Sequence, residues 1–128
     1  MYDVAIIGSG PAGYTAALYT SRAFLKTKLY SGTVVGGQLT TTTEVDNYPG
    51  FAKGIMGPQL MADMAEQIKR FGTEIEALAV SAVSRTSDET GFIITTEKGT
   101  EWAKAVIIAT GASAMYLGLP SEEKLAGK

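Results

Sequence analysis

Gly8, Gly10 and Gly13 stand at G-x-G-x-x-G spacing between an apolar run and a helical pattern, in the segment DVAIIGSGPAGYTAALY. No other feature constrains the fold as much. Val4, Ala5, Ile6 and Ile7 are continuously apolar, as strands covered on both faces are. Gly8 permits a tight turn out of that strand, Gly10 lets the backbone approach a pyrophosphate, and Gly13 lets the following helix pack close. Pro11 falls in the first helical turn, where a missing N–H is tolerated. The free N–H groups and partial positive charge at the start of that helix suit phosphate. The segment predicts a β–α unit that holds a dinucleotide. A glycine-rich turn with no ligand is the alternative reading.

The rest of the chain reads as alternating elements. The first strand covers Asp3–Ile7, a helix runs from Pro11 to about Arg22, and Lys26–Ser31 is a second strand. From Gly32 to Gly57 neither period is visible, and a loop that long in a compact domain is usually functional or disordered. Tyr48 and Phe51 argue against disorder. An amphipathic helix opens at Gly57-Pro58, with Leu60, Met64, Ile68 and Phe71 as its core stripe and Gly72 just past its end. Strand-like runs follow at Glu74–Leu78, Val80–Arg85, Gly91–Thr96, Thr100–Ala103 and Ala105–Ala109, with Trp102 packing inside the meander. Residues 113–128 read as an exit loop in which Glu122, Glu123 and Lys124 form a solvated face. This order predicts an α/β fold: a Rossmann-type domain with a parallel sheet, helices on its faces and an antiparallel β-meander. A further strand and helix are expected after Lys128.

A length of 128 residues fits one domain, and 45% hydrophobic with 19% charged residues describes an ordinary globular chain. The net charge of −2 gives no reason to expect nucleic acid or an anionic membrane. No acidic residue falls between Val4 and Thr43, while Arg22, Lys26 and Lys28 are basic. That local field would suit a diphosphate, though chance accounts for it equally well. The chain has no cysteine and no histidine. It therefore lacks a disulfide, a thiolate zinc site, a C-x-x-C pair and the usual neutral-pH general base. Met1 leads at once into the first strand, which leaves no room for a signal peptide. No apolar run reaches the roughly 18–20 residues that cross a bilayer. A cytoplasmic protein with no membrane partner is expected.

One expected partner of the glycine motif is missing. An Asp or Glu about 20 residues further on usually binds a ribose hydroxyl, but Ser31 and Gly32 stand at the end of the second strand. Two further segments are more specific: GGQLTTTTEVDNYPGF from Gly36 to Phe51, and VIIATGASAMYLGLPSEEK from Val106 onward. With IIGSGPAGYTAALYTSRA they resemble the first part of bacterial-type thioredoxin reductase, across essentially the whole chain. The resemblance implies a flavoprotein in which electrons pass from NADPH to FAD, to a C-x-x-C disulfide and on to thioredoxin. It implies a discontinuous FAD domain, of which residues 1–128 would be the N-terminal segment. The NADPH domain with its dithiol, and the closing FAD segment, would lie outside these residues.

Carried over by position, the resemblance puts Gly8, Ser9, Gly10, Pro11, Ala12 and Gly13 around the pyrophosphate. Ser31 and Gly32 would lie by the adenosine ribose, and Gly37, Gln38 and Leu39 along the ribityl–diphosphate path. Thr42, Val45 and Asn47 would approach the isoalloxazine ring, and Val80 would meet the adenine. Ala109, Thr110 and Gly111 would close over the cofactor. No residue is expected to be catalytic and no metal is expected. The implied reading is the FAD-binding part of a thioredoxin reductase, inactive alone. A dithiol-free flavoprotein relative, such as a ferredoxin–NADP reductase of the same architecture, is one alternative. A non-catalytic nucleotide-binding module is the other. Val4–Ile7 and Val106–Ile108 are central-strand material, so an unfinished sheet would expose an edge and favour a homodimer or other self-association.

Overall fold

The computed structural model describes residues 1–113 and 115–125. Its elements are β1 (Tyr2–Ile7), α1 (Pro11–Arg22), β2 (Thr27–Tyr30), β3 (Glu44–Val45), β4 (Ile55–Met56), α2 (Gly57–Arg70), β5 (Glu74–Glu76), β6 (Val80–Arg85), β7 (Phe92–Thr96), β8 (Gly99–Ile108) and α3 (Pro120–Leu125). Six strands form one sheet in the order β5-β2-β1-β8-β7-β6. β5, β2, β1 and the second half of β8 run parallel, and β6, β7 and the first half of β8 form the antiparallel meander.

Alternation along the central strands sorts the core onto two faces. Val4, Ile6 and Leu29 bury against α1 and α2 through Tyr14, Ala17, Leu60, Met61, Met64 and Ile68. Ala5 and Tyr30 point the other way and bury with Ile94 and Ala103 beneath the meander. This is the Rossmann-type α/β layout expected from the sequence.

Four local readings are corrected. The runs Thr100–Ala103 and Ala105–Ala109 are one ten-residue strand, β8, ending at Ile108. Lys104 between them is no breaker: its ammonium leaves the sheet to meet Asp3 at 2.7 Å. The stretch from Gly32 to Gly57 contains a 3-10 turn at Gly37–Thr41 and a two-residue β3–β4 ladder. Phe71 is 38% exposed rather than core, and Met61 joins Leu60, Met64 and Ile68 in the buried stripe. Residues 113–128 are not wholly an exit loop, because Pro120–Leu125 is helical; Ala114 and residues 126–128 lie outside the described residues. There Glu122 accepts the Leu117 and Leu119 backbone N–H groups at 2.9 Å, so it caps the turn instead of facing solvent freely. Trp102 packs as expected, within 2.7 Å of where a Cβ on Gly91 would stand.

The two apolar central runs differ in their pairing. β1 has partners on both sides. β8 has them only as far as Ala103, where β7 leaves it at the Phe92–Ala103 pair, and from Lys104 to Ile108 only β1 accompanies it. Ile108 is 71% exposed on that stretch. Besides the edge strands β5 and β6, the second half of β8 is therefore open on one side.

A charged cluster joins the meander to the parallel strands. Lys28 on β2 has a side chain only 6% exposed, and its ammonium lies 2.5 Å from Glu76 and 2.6 Å from Glu101. Tyr30 donates to Glu101, and the rings of Tyr2 and Tyr30 stand 5.2 Å from the ammonium. Burial pulls the Lys28 pKa down, but the hydrogen bonds its ammonium donates to Glu101 and Glu76 outweigh it and hold it above the ordinary lysine value. Hydrogen bonds from Lys28 and then Lys98 hold Glu76 down at about 2. Burial raises Glu101, and its bonds to Lys28 and Tyr30 more than reverse that.

Because Glu76 titrates lower in the folded chain than its ordinary 4.5, its stabilisation is complete above that pH and fades as pH falls toward 2. Thermal unfolding followed from pH 6 to pH 2 should therefore show a slope over that window, and Glu76→Gln should flatten it. Lys28→Met removes the cation that Glu101 and Glu76 share, leaving Glu76 with Lys98 alone. It should destabilise the fold, by less than the roughly 3–5 kcal/mol of a fully buried pair, because both carboxylates keep contact with water. An unchanged acid slope in Glu76→Gln would contradict this assignment.

Candidate functional site

A cleft of about 540 Å³ opens at the C-terminal ends of β1, β2 and β8. Its walls are the Gly8–Gly10 turn, the Ser31–Val34 turn, the 3-10 segment at Gly37, Gln38 and Thr41, and the exit from β8 at Ala109–Ser113. Strand ends of an open α/β sheet, on either side of its first strand, are where ligands bind in such folds.

The three glycines have different reasons to be glycine. Gly8 has φ +112°, and a Cβ there would collide with the Ala109 carbonyl. A Cβ on Gly13 would collide with the Gly8 carbonyl oxygen. Both positions are therefore fixed by packing of the β1 end, the β8 end and α1. Gly10 is different. A Cβ on it would meet nothing within 4 Å, and its φ of −69° suits any residue. The fold does not need glycine at position 10, so the empty space in front of it belongs to the cleft.

α1 starts at that point. Gly10 is its N-cap, no side chain caps it, and its first turn carries no acidic residue. The first intrahelical bond runs from Tyr14 N–H to Gly10 O, which leaves the earlier amides available to a ligand. An uncapped helix start beside a glycine turn attracts anions through its dipole and free N–H groups.

Ser9 serves the scaffold. Its buried hydroxyl donates to Ser31 O at 3.0 Å and accepts the Gly36 N–H at 2.8 Å. It clasps the first turn to the loop after β2, and only its backbone remains for a ligand. Gly37 lies against Gly10, its virtual Cβ 3.2 Å from the Gly10 Cα. The Gln38 side chain donates to Ala112 O, tying the 3-10 segment to the exit from β8.

Of the residues singled out from the sequence, Gly8, Ser9, Gly10, Ser31, Gly32, Gly37, Gln38, Ala109, Thr110 and Gly111 line this cleft. Pro11, Ala12 and Gly13 follow directly as the first residues of α1. The others are set further off. Leu39 packs on the helix-face core, and the Val45 side chain is buried within it. The Thr42 hydroxyl donates to Leu39 O at 2.9 Å. Asn47 lines a separate shallow groove formed by residues Asp46–Ala52. Val80 begins β6 and packs on the meander-face core; two residues before it, Leu78 O accepts the Gly32 N–H. Thr33, Val34, Thr41, Ala112 and Ser113 also line the cleft and were not singled out. Their only sequence signal is adjacency to residues that were.

The cleft has no ionisable side chain among its described lining residues. The basic residues that suggested a diphosphate field are elsewhere. Lys28 is held by Glu76 and Glu101 on the meander side. Arg22 and Lys26 lie at the opposite ends of α1 and β2 from the cleft. The arrangement can bind and orient an anion through backbone dipoles, and it offers no acid or base. A larger groove, about 730 Å³, runs beside α2 under Tyr48 and Phe51. It carries neither a glycine turn nor a helix start.

The sequence profile of the pyridine nucleotide-disulphide oxidoreductase family matches residues 2–128. A bifunctional thioredoxin reductase/thioredoxin of Mycobacterium leprae is 51% identical over 128 residues, which is all of this chain and 28% of that protein. A glucosaminate ammonia-lyase of Pseudomonas fluorescens is 54% identical over 125 residues, 98% of this chain and 38% of that protein. The solved Lactococcus lactis thioredoxin reductase superposes with a TM-score of 0.87 at 44% identity, over 97% of this chain and 40% of that one. The chain thus spans well under half the length of each of these proteins.

The glycine geometry separates two substitutions. Gly13→Ala should destabilise the chain by about 1–3 kcal/mol, the usual cost of forcing atoms into a packed contact. Gly10→Ala should stay within about 0.5 kcal/mol of the parent, since its methyl enters open space. Urea unfolding of the two variants checks this, and equal losses would contradict it.

Proposed function

For this chain, which belongs to the pyridine nucleotide-disulphide oxidoreductase family, we propose that the strand-end cleft binds FAD. The observation that carries the reading is Gly10. Packing explains the other two glycines of the motif, whereas a Cβ at Gly10 would enter only open cleft space, so glycine there suits a close approach of the diphosphate to the backbone. Gly8–Gly13 would hold the diphosphate through backbone amides and the start of α1. Ser31 and Gly32 would face the adenosine ribose, and Gly37, Gln38 and Leu39 the ribityl–diphosphate path. Thr42, Val45 and Asn47 would bound the isoalloxazine, with Val45 acting from within the core. Val80 would border the adenine, and Ala109, Thr110 and Gly111 would close the cleft.

FAD, when bound, supplies the hydride chemistry. The chain's own residues bind it, orient it and wall it from solvent. In a whole thioredoxin reductase-like protein, NADPH would reduce the flavin and a dithiol would pass the electrons to thioredoxin. These 128 residues contain neither cysteine nor histidine, so the segment would contribute cofactor binding and no turnover of its own. The open edge of β8 from Lys104 to Ile108 is where a further strand of the larger protein would add. We also place the protein in the cytoplasm and expect it to self-associate. Among the described residues no helix is long and apolar enough to cross a membrane.

A second reading stands beside this one, because the segment is shared with a protein of another name. A relative named glucosaminate ammonia-lyase shares this segment at 54% identity. The segment is therefore compatible with proteins of different named activities, and a flavoprotein without a dithiol remains the alternative for the whole.

The purified chain should bind FAD, with quenching of flavin fluorescence on titration. Gly10→Val should abolish that quenching while leaving thermal stability near the parent value. Flavin binding by Gly10→Val as tight as by the parent would place the site elsewhere. Supplied with NADPH and thioredoxin, the chain should give no sustained thiol production. Steady turnover by a preparation free of contaminating reductase would overturn the binding-segment reading.

A further inference from the structure

The Ser31–Gly32 turn at one end of the cleft is held from outside it. Ser31 and Gly32 donate their backbone N–H groups to Glu76 O at 2.9 Å and Leu78 O at 3.1 Å. Ser31 O accepts the Ser9 hydroxyl at 3.0 Å. Ser9 thus ties the turn to the glycine motif, and Glu76 ties it to residues 77–79, which lead into Val80 and β6. The backbone of β5 is a slender support for this. It is three residues long, lies at the sheet edge and pairs only with β2. Ile75 packs its helix-facing side onto the core. On the meander side the Glu76 carboxylate takes that part, 2.5 Å from the ammonium of Lys28 and 2.8 Å from that of Lys98. Lys98 stands in the turn between β7 and β8, so one carboxylate joins β5, β2 and the meander. Packed apolar groups in place of a buried ion cluster are often at least as stable. Stability alone therefore gives no reason for a charged residue at the position whose carbonyl holds the Ser31 N–H.

We propose that Glu76 is a positioning residue for the adenosine half of the cofactor, an inference that rests on the flavin reading. By clamping the end of β5 to Lys28 and Lys98, its carboxylate fixes the carbonyl that holds the Ser31 N–H. That fixes the Ser31–Gly32 turn where the adenosine ribose would lie, and so makes the site prefer a dinucleotide to a flavin mononucleotide. Glu76 does not line the cleft and acts only through the backbone of the turn. FMN ends at its phosphate and carries no adenosine, so its binding does not draw on Ser31 or Gly32. ADP draws on them and leaves the flavin end of the cleft empty. The three ligands therefore separate the two ends of the site.

Two measurements on the full chain test it. Backbone amide hydrogen exchange, followed by NMR without ligand, reads the clamp directly. Glu76→Ala should speed exchange at Ser31 and Gly32 by at least about tenfold, as a locally loosened turn does. Gly8 and Ala109, whose N–H groups bond Tyr30 O and Ile7 O, should keep wild-type protection. Fluorescence titration with FAD and FMN, and competition by ADP, reads the consequence. Glu76→Ala should weaken FAD and ADP by about fivefold to tenfold, the worth of one displaced hydrogen bond, and leave FMN within about twofold of wild type. Glu76→Gln keeps an acceptor for both lysines and should fall between Glu76→Ala and wild type. Lys98→Met, at a side chain 67% exposed, spares the Lys28–Glu76 pair. It should fold even if Glu76→Ala does not, and shift the same amides and ligands in the same direction by less. Wild-type exchange at Ser31 and Gly32 in these variants would overturn the proposal. So would equal losses of FAD and FMN, the mark of a general loss of stability. A wild-type chain that binds none of FAD, FMN and ADP would overturn the flavin reading and this proposal with it, whereas failure of the exchange result alone would overturn only the proposal.

Discussion

Two steric contacts organise the molecule. The backbone of Gly8 lies against the Ala109 carbonyl, and the backbone of Gly13 lies against the Gly8 carbonyl. They bring the ends of β1 and β8 and the start of α1 as close as backbone atoms allow. From that closeness follow the direction of α1, the position of its uncapped first turn, and the gap between the strand ends. The Ser9 hydroxyl extends the constraint to the loop after β2 by bonding both Ser31 and Gly36. The cleft is the space these contacts leave.

Charge is kept away from that space. Lys28 is held by Glu76 and Glu101 under the meander, where it fixes the antiparallel layer to the parallel strands. A cleft walled by glycine, serine, threonine, alanine, valine and glutamine can meet an anion only with backbone dipoles and neutral polar groups. It has no group whose protonation would change binding near neutral pH. The proposed binding and the stability thus rest on different parts of the sheet: the cleft lies at the strand ends, and the ion cluster around Lys28 on the meander side ties the layers together.

The parts of this plan that repeat at short range were legible in the sequence. The apolar run Val4–Ile7, the glycine spacing, Pro11 and the α2 stripe at Leu60, Met64 and Ile68 each carry a local physical signal. What escaped was set by distant partners. Lys28 read as a free cation because Glu76 and Glu101 are far away in sequence. β8 read as two strands because its halves pair with different neighbours, which no local pattern reports. Phe71 fits the helical period, yet it falls at the C-cap, where the chain turns out of the packed layer. For Ser9 the position was found but the clasp its hydroxyl makes was not, because a buried bond to Gly36 depends on the folded loop. Half-strand pairing, the ion cluster and the loop clasp are tertiary facts.

The central claim is that backbone amides at the strand ends hold the cofactor's diphosphate. Amide chemical shifts of the isotope-labelled chain, followed by NMR during titration with FAD and with ADP, test it most directly. The account predicts the largest shifts at Gly10, Ala12 and Gly13 with both ligands, and smaller ones at Ser31, Gly32 and the Gly36–Gln38 segment. Shifts centred instead on Tyr48, Phe51 and the exposed face of α2, with the glycine turn unmoved, would contradict it.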